Sequence, residues 1–178
     1  MNILVIGAQG SGKTTLVNYA IKQGKVNYID TDYVEGLNEW RNYQTGEVLG
    51  YVGEVGSMDP KIEKNWHKLY GWYWEPSKLD EILSGRNNSI ICGSADNAME
   101  FYDKFDKIVL IYKAKEDLAR NLFNLNSNQL SVKDLDQFNR YLCWQDRLLE
   151  TTKPFNPTII KDNNVEVIFE KVSKLIVD

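Results

Sequence analysis

The sequence has a single histidine, two cysteines and four prolines in 178 residues. One imidazole and two thiols without CxxC spacing, Cys92 and Cys143, provide no soft-ligand set for zinc or an iron–sulfur cluster. Both cysteines are expected as free, reduced thiols. No apolar run approaches the ~20 residues needed to cross a bilayer. The run from Ile3 to Ile6 is too short for a signal peptide and stops at Gly7. A cytoplasmic protein without membrane contact is therefore expected. Positive charge is also scarce: 21 Lys and Arg against 25 Asp and Glu give a net charge of −4, so no broad nucleic-acid-binding face is expected.

What is present is the balance of a globular domain, 43% hydrophobic and 26% charged residues, in a chain long enough to bury a core. Residues 1–178 read as one domain. Asn2 to Ile6, Val26 to Ile29, Ser89 to Cys92, Lys107 to Tyr112 and Thr158 to Ile160 read as short apolar strands, the kind buried on both faces of a parallel sheet. Helical periodicity falls between them. One helix is expected from Gly12-Lys13 to about Lys22, with Leu16, Val17, Ala20 and Ile21 inward. Asp59-Pro60 opens another that carries Ile62, Trp66, Leu69, Tyr70 and Tyr73 at helical spacing. Ser77 and Asp80 suggest a capping box for a third helix, ending at Gly85. Further helices are expected at 115–125, at 132–152 behind Ser131 and Asp134, and at 165–177 with Ile168, Val172, Leu175 and Ile176 inward. Alternating strands and helices mean an α/β fold with a mainly parallel sheet.

The most specific stretch is Gly7-Ala8-Gln9-Gly10-Ser11-Gly12-Lys13-Thr14, which matches G-x-x-x-x-G-K-[ST] between a strand and a helix. Glycines let the backbone curl around an anion, and the turned N–H groups with the helix N-terminus solvate phosphate oxygens. Lys13 adds a charge for the β- and γ-phosphates, and Thr14 a hydroxyl for Mg²⁺. A turn that merely joined strand to helix would explain Gly12 but not Lys13-Thr14. Gly7, Gly10, Ser11, Gly12, Lys13, Thr14 and Thr15 are the nucleotide-binding candidates.

IGAQGSGKTTL followed soon by YIDTD resembles the small-molecule kinases of the P-loop class, especially the shikimate kinase-like and adenylate kinase-like families. The resemblance implies a three-layer fold whose five parallel strands run in the order 2-3-1-4-5. It also implies an acceptor-binding insert at 33–85 and a lid at about 118–147. ATP and Mg²⁺ would be the cofactors, and a small hydroxylated metabolite the partner. Carried over by position, Asp30 would order Mg²⁺ through water and Asp32 would accept the acceptor's hydroxyl proton. Asp-Thr-Asp is also a common turn or helix cap. Arg120 falls where relatives place a lid arginine, and Arg147 near an acceptor-binding arginine. Arg41 lies in the acceptor region; Arg86 and Arg140 complete the arginine candidates, and any of these charges also suits a solvated surface.

The departures concern the acceptor. Gly93-Ser94-Ala95-Asp96 is neither the triple-glycine turn of shikimate kinases nor the Asp-Gly-x-Pro-Arg of nucleotide kinases. Gly93 is a candidate to turn a backbone N–H toward the γ-phosphate, and Asp96 reads as a helix cap. NLFNLNSNQL puts asparagines where such lids carry arginines. The aromatic residues of the insert suit either a stacking surface for a planar or sugar-like acceptor or the insert's own core. The expected activity is shikimate kinase-like transfer of the γ-phosphoryl group to a hydroxylated metabolite. The alternatives are a nucleoside or nucleotide kinase, or an ATPase or nucleotide-binding module acting on a protein partner. A GTP switch lacks support, because no Asp-x-x-Gly follows a strand and no Asn-Lys-x-Asp is present.

Overall fold

The computed structural model describes residues 1–51, 69–85, 88–123 and 132–176. Its centre is β1 (Ile3–Ile6), four aliphatic residues that are all fully buried. β1 pairs in parallel with β6 (Ile90–Cys92) on one edge and β7 (Lys107–Ile111) on the other. β2 (Tyr28–Asp30) extends the sheet beyond β6, and β8 (Thr158–Ile160) beyond β7. The order β2-β6-β1-β7-β8 is 2-3-1-4-5 among the parallel strands, as expected.

Side chains alternate across a strand, so β1 contributes to two cores. Ile3 and Val5 pack with Leu16, Val17 and Ala20 of α1 (Lys13–Lys22) and with Ile168 and Val172 of α5 (Val165–Lys174). Leu4 and Ile6 face the other way, toward Leu79 of α2 (Pro76–Ser84), Phe101 and Tyr102 of a 3₁₀ segment (Ala98–Lys104), and Leu148 of α4 (Val132–Thr152). α3 (Lys115–Phe123) follows β7 and anchors itself with the buried Leu118. Ile21, expected inward on α1, is 56% exposed; the stripe that meets the sheet is filled by Leu16, Val17 and Ala20. α2 is capped by Glu75, whose carboxylate accepts from the N–H groups of Ser77 (3.2 Å) and Lys78 (2.6 Å). Asp80 pairs instead with Lys104 at 2.5 Å, so the Ser77–Asp80 capping box does not form. Cys92 is buried and Cys143 exposed, both free. Among the described residues no helix is long and apolar enough to cross a membrane.

The insert differs most from expectation. It forms a second, antiparallel sheet of order β4-β3-β5, built from β3 (Asn38–Asn42), β4 (Val48–Tyr51) and β5 (Tyr70–Trp74). Tyr70 and Tyr73, placed on a helix by their spacing, belong to the strand YGWYW; Ile62 and Trp66 lie outside the described residues, as do Asp59, Pro60 and Ser131. Aromatic residues suit a pleated surface, and cross-strand pairing decides the matter: Trp40 sits opposite Trp72, with ring centroids 4.4 Å apart. Tyr70, Trp72 and Trp74 share one face of β5, while Gly71 and Tyr73 take the other.

Two consecutive side chains dock this sheet on the loop after β6. Asn97 accepts from the Trp74 N–H (2.9 Å) and donates to the Trp74 carbonyl (2.9 Å), imitating a neighbouring strand. Asp96 accepts from the Trp72 N–H at 2.8 Å, and its own N–H donates to the Trp72 carbonyl at 2.6 Å. Replacing Asn97 by alanine orphans a buried N–H and a buried carbonyl of β5 at once. Asn97→Ala is expected to lower unfolding free energy by about 2 kcal/mol, measured by urea denaturation.

Candidate functional site

The carboxyl ends of β1, β2, β6 and β7 open into a cleft of about 1340 Å³. This is where open α/β sheets receive ligands. The phosphate loop forms its floor: Gly10, Gly12, Lys13, Thr14 and Thr15 all line it. Gly10 (φ +80°) and Gly12 (φ +99°) adopt left-handed backbone, which turns the chain into α1 without a Cβ penalty. A Cβ on Gly10 would also stand 2.8 Å from Leu122 Cγ, so α3 rests directly on the loop. Asn121 of the same helix donates to the Gly10 carbonyl at 2.9 Å. Gly7 and Ser11 sit behind this surface; the Gly7 carbonyl accepts from Lys13 Nζ and from Ser94 Oγ (2.8 Å), and Ser11 is buried.

Lys13 lies folded against the loop, its ammonium donating to the carbonyls of Gly7 (2.7 Å) and Ala8 (3.1 Å). Burial pulls its pKa down, while Asp32 and then Asp30 push it back up. Asp32 lines the cleft. Its carboxyl is held above the usual aspartate range by desolvation and by Asp30, against the opposing pull of Lys13. Asp30 is buried behind it; Oδ1 accepts from the Asp32 N–H at 3.1 Å, and Oδ2 is buried without a hydrogen-bond partner. The pair is therefore both a cap of the short 3₁₀ turn (Thr31–Tyr33) and a charge cluster facing Lys13. A buried carboxylate oxygen left unsatisfied is costly unless something binds it, and a cation is one partner whose chemistry suits it. Among the described residues no group of three or more His, Cys, Asp or Glu is placed to hold a metal.

The expected arginines separate. Arg120 lines the cleft, paired with Asp117 at 2.9 Å, and Arg140 lines it too. Arg41 does not: it alternates with Trp40 on β3, so it lies on the opposite face of the small sheet, bonded to Glu39 and 5.0 Å over the Tyr73 ring. Arg147 covers the Trp144 ring at 5.3 Å and is likewise absent from the cleft lining. Arg86 lies outside the described residues. Gly93 is corrected as well, because its N–H donates to the Val5 carbonyl (3.1 Å) and is not free to meet a phosphate. Asp96 is no helix cap; besides Trp72 it accepts from the Tyr43 hydroxyl at 3.2 Å.

Several lining residues carried no motif. Lys113 follows β7 at the carboxyl edge, the position that the fold rule alone would single out. Its backbone is clamped on both sides by the Gln145 amide (2.9 and 3.0 Å), its ammonium donates to the Asp162 carbonyl, and burial pulls its pKa down against Asp117 and Asp162. Trp40, Tyr43, Tyr70, Trp72, Tyr141 and Trp144 also line the cleft, contributed by the small sheet and by α4. The cleft thus has a β7–β8 end with Lys113, Asn163 and Val165, and a β2–β6 end with Asp32, Asp96 and the rings of the small sheet.

Gly71 lets these parts approach, since a Cβ there would stand 2.5 Å from Asp96 Oδ2 and 2.7 Å from the Tyr43 ring. Gly71→Ala is expected to cost about 1–3 kcal/mol of stability and to change the near-ultraviolet circular dichroism of the packed rings.

No protein-family model matches the chain, and no curated protein matches it. Solved structures do. The shikimate kinase of Bacteroides thetaiotaomicron aligns over 100% of this chain and 99% of its own, at 20% identity and a TM-score of 0.55. The shikimate kinase of Acinetobacter baumannii, solved in complex with shikimate, aligns over 99% and 92%, at 19% identity and a TM-score of 0.51. TT1252 from Thermus thermophilus aligns over 99% and 96%, at 15% and 0.52. In fold, then, this chain stands with the two shikimate kinases: an α/β P-loop kinase fold with its five parallel strands in the order 2-3-1-4-5.

Proposed function

We propose that the protein is an ATP- and Mg²⁺-dependent kinase that transfers the γ-phosphoryl group to a hydroxyl of a small acceptor. The observation that carries this reading is that the phosphate-loop Lys13 and the Asp32 carboxyl share one open cleft with a separate, ring-lined end. Nucleotide and acceptor then have distinct places: the triphosphate over Gly10 to Thr15, the base toward Lys113 and Asn163, and the acceptor beside Asp32.

In this reaction Lys13 exchanges the Gly7 and Ala8 carbonyls for phosphate oxygens. The acceptor oxygen attacks the γ-phosphorus, the bond to the β-phosphate oxygen breaks, and ADP leaves. Asp32 takes the hydroxyl proton as the new bond forms. Arg120, released from Asp117, and Arg140 neutralise charge on the transferring group. Thr14 and the orphaned Asp30 oxygen are the residues suited to hold Mg²⁺, which supplies charge neutralisation across the phosphates when bound.

A panel of hydroxylated metabolites with Mg·ATP, read by phosphorus NMR, tests the proposal: a phosphorylated product from one acceptor supports it, and none from any acceptor overturns it. Lys13→Ala is expected to reduce turnover by at least about 10²-fold. Asp32→Asn is expected to lower kcat by about 10²-fold while ATP affinity changes little. Protonated Asp32 cannot accept a proton, so kcat should fall as pH drops through its raised pKa, above the ordinary aspartate range. That acid limb should vanish in Asp32→Asn. Chelation of Mg²⁺ should stop transfer, and its readdition restore it.

A further inference from the structure

Resting on the kinase reading, we infer that the acceptor is an uncharged, planar heteroaromatic compound bearing a hydroxyl, of the nucleoside class, and not an anionic metabolite. Three observations meet at the β2–β6 end of the cleft.

The first is the state of the rings. Trp40, Tyr43, Tyr70, Trp72, Tyr141 and Trp144 all line the cleft and none is buried, although Trp74, on the same face of β5 as Trp72, is fully buried. A core takes its rings out of water; these stay partly in it. Trp40, Tyr70 and Trp72 share one face of the small sheet, Tyr43 follows β3 and packs on the Gly71–Tyr73 side beside Asp96, and Tyr141 and Trp144 come from α4. Exposed apolar surface concentrated in a cleft marks a binding site, and aromatic planes favour a flat π-bearing ligand over a puckered polyol.

The second is where positive charge is missing. A carboxylated or phosphorylated acceptor needs a guanidinium or ammonium to receive its anion, ideally in bidentate fashion. Arg41 lies on the opposite face of the small sheet with Glu39 and Tyr73, and Arg147, 5.3 Å over the Trp144 ring, does not line the cleft. Arg120 and Arg140 remain in the cleft among the described arginines, and the kinase reaction assigns both to the transferring phosphoryl group.

The third is Asp96. Its Oδ2 is committed to Trp72 and Tyr43, and among the described residues its Oδ1 accepts no hydrogen bond. A carboxylate oxygen beside these rings disfavours an anion and suits an N–H edge of a base. Gln137, which also lines the cleft and donates to the Tyr141 hydroxyl at 3.0 Å, adds an amide able to give and accept. With a base between the rings, its ribose or deoxyribose hydroxyl is the group left for Asp32.

Calorimetry with a non-hydrolysable ATP analogue bound, together with turnover in Mg·ATP, tests the inference on three acceptor sets: nucleosides, nucleoside monophosphates and carboxylated cyclic polyols such as shikimate. The expected result is binding and phosphorylation of at least one nucleoside. Trp72→Leu should then raise the KM for that nucleoside about ten- to a hundred-fold, leave the KM for ATP unchanged, and be rescued by Trp72→Phe. Trp40→Leu, on the neighbouring strand, gives the same readout should Trp72→Leu fail to fold. Nucleoside binding without transfer would sink the kinase reading and keep the acceptor class. Phosphorylation of a monophosphate or a carboxylated polyol, with nucleosides neither bound nor used, would overturn the inference and leave the kinase reading standing. Absence of binding by all three sets overturns it too, as does an equal rise of both KM values in the Trp72 and Trp40 variants.

Discussion

β1 is hydrogen-bonded along both edges and buried on both faces, and the rest of the molecule is arranged around that constraint. A strand so enclosed leaves its carboxyl end as the only exit for the chain. The exit is the phosphate loop, and the helix that follows must cross back over Ile3 and Val5 to bury Leu16 and Val17. Position and direction of the glycine-lysine bend are thus consequences of packing four aliphatic side chains. The same placement brings Asp30 and Asp32 alongside Lys13, because β2 is separated from β1 only by β6.

The ring-lined end is held by a different device. No strand of the parallel sheet pairs with the small antiparallel sheet among the described residues; Asp96 and Asn97 supply the hydrogen bonds that join the two, from both side chains and the Asp96 N–H. These two residues sit in the loop that begins at Gly93, whose N–H is tied to β1, and that carries Ser94 to the Gly7 carbonyl. A continuous set of short polar contacts therefore runs from the phosphate loop to the face that bears Trp72.

Strong local signals were legible in the sequence. The five parallel strands, the glycine-lysine bend, α1 and α4 all announce themselves through apolar runs or periodicity within ten or twenty residues. The small sheet did not, because Tyr70 and Tyr73 are three apart and suit a helix as well as a strand. Their pairing partner, Asn38–Asn42, lies some thirty residues upstream, beyond any local window. The misplacement of Arg41 follows from that: once Trp40 is known to face the cleft, strand alternation sends Arg41 to the other side. Gly93 and Asp96 are long-range cases too, since each finds its partner across the sheet and not along the chain. Lys113 was reachable from the fold rule but had no motif to draw attention to it.

The distribution of indoles has an optical consequence. Among the four described indoles, Trp40, Trp72 and Trp144 stand at the cleft wall in partial contact with solvent, whereas Trp74 is sealed in the interior. The unmodified chain therefore carries its own fluorophores at the place where any occupant must displace water, and an internal standard that such an occupant does not reach. Changes in emission colour and quenching of these cleft indoles then report what enters, free of dyes or labels.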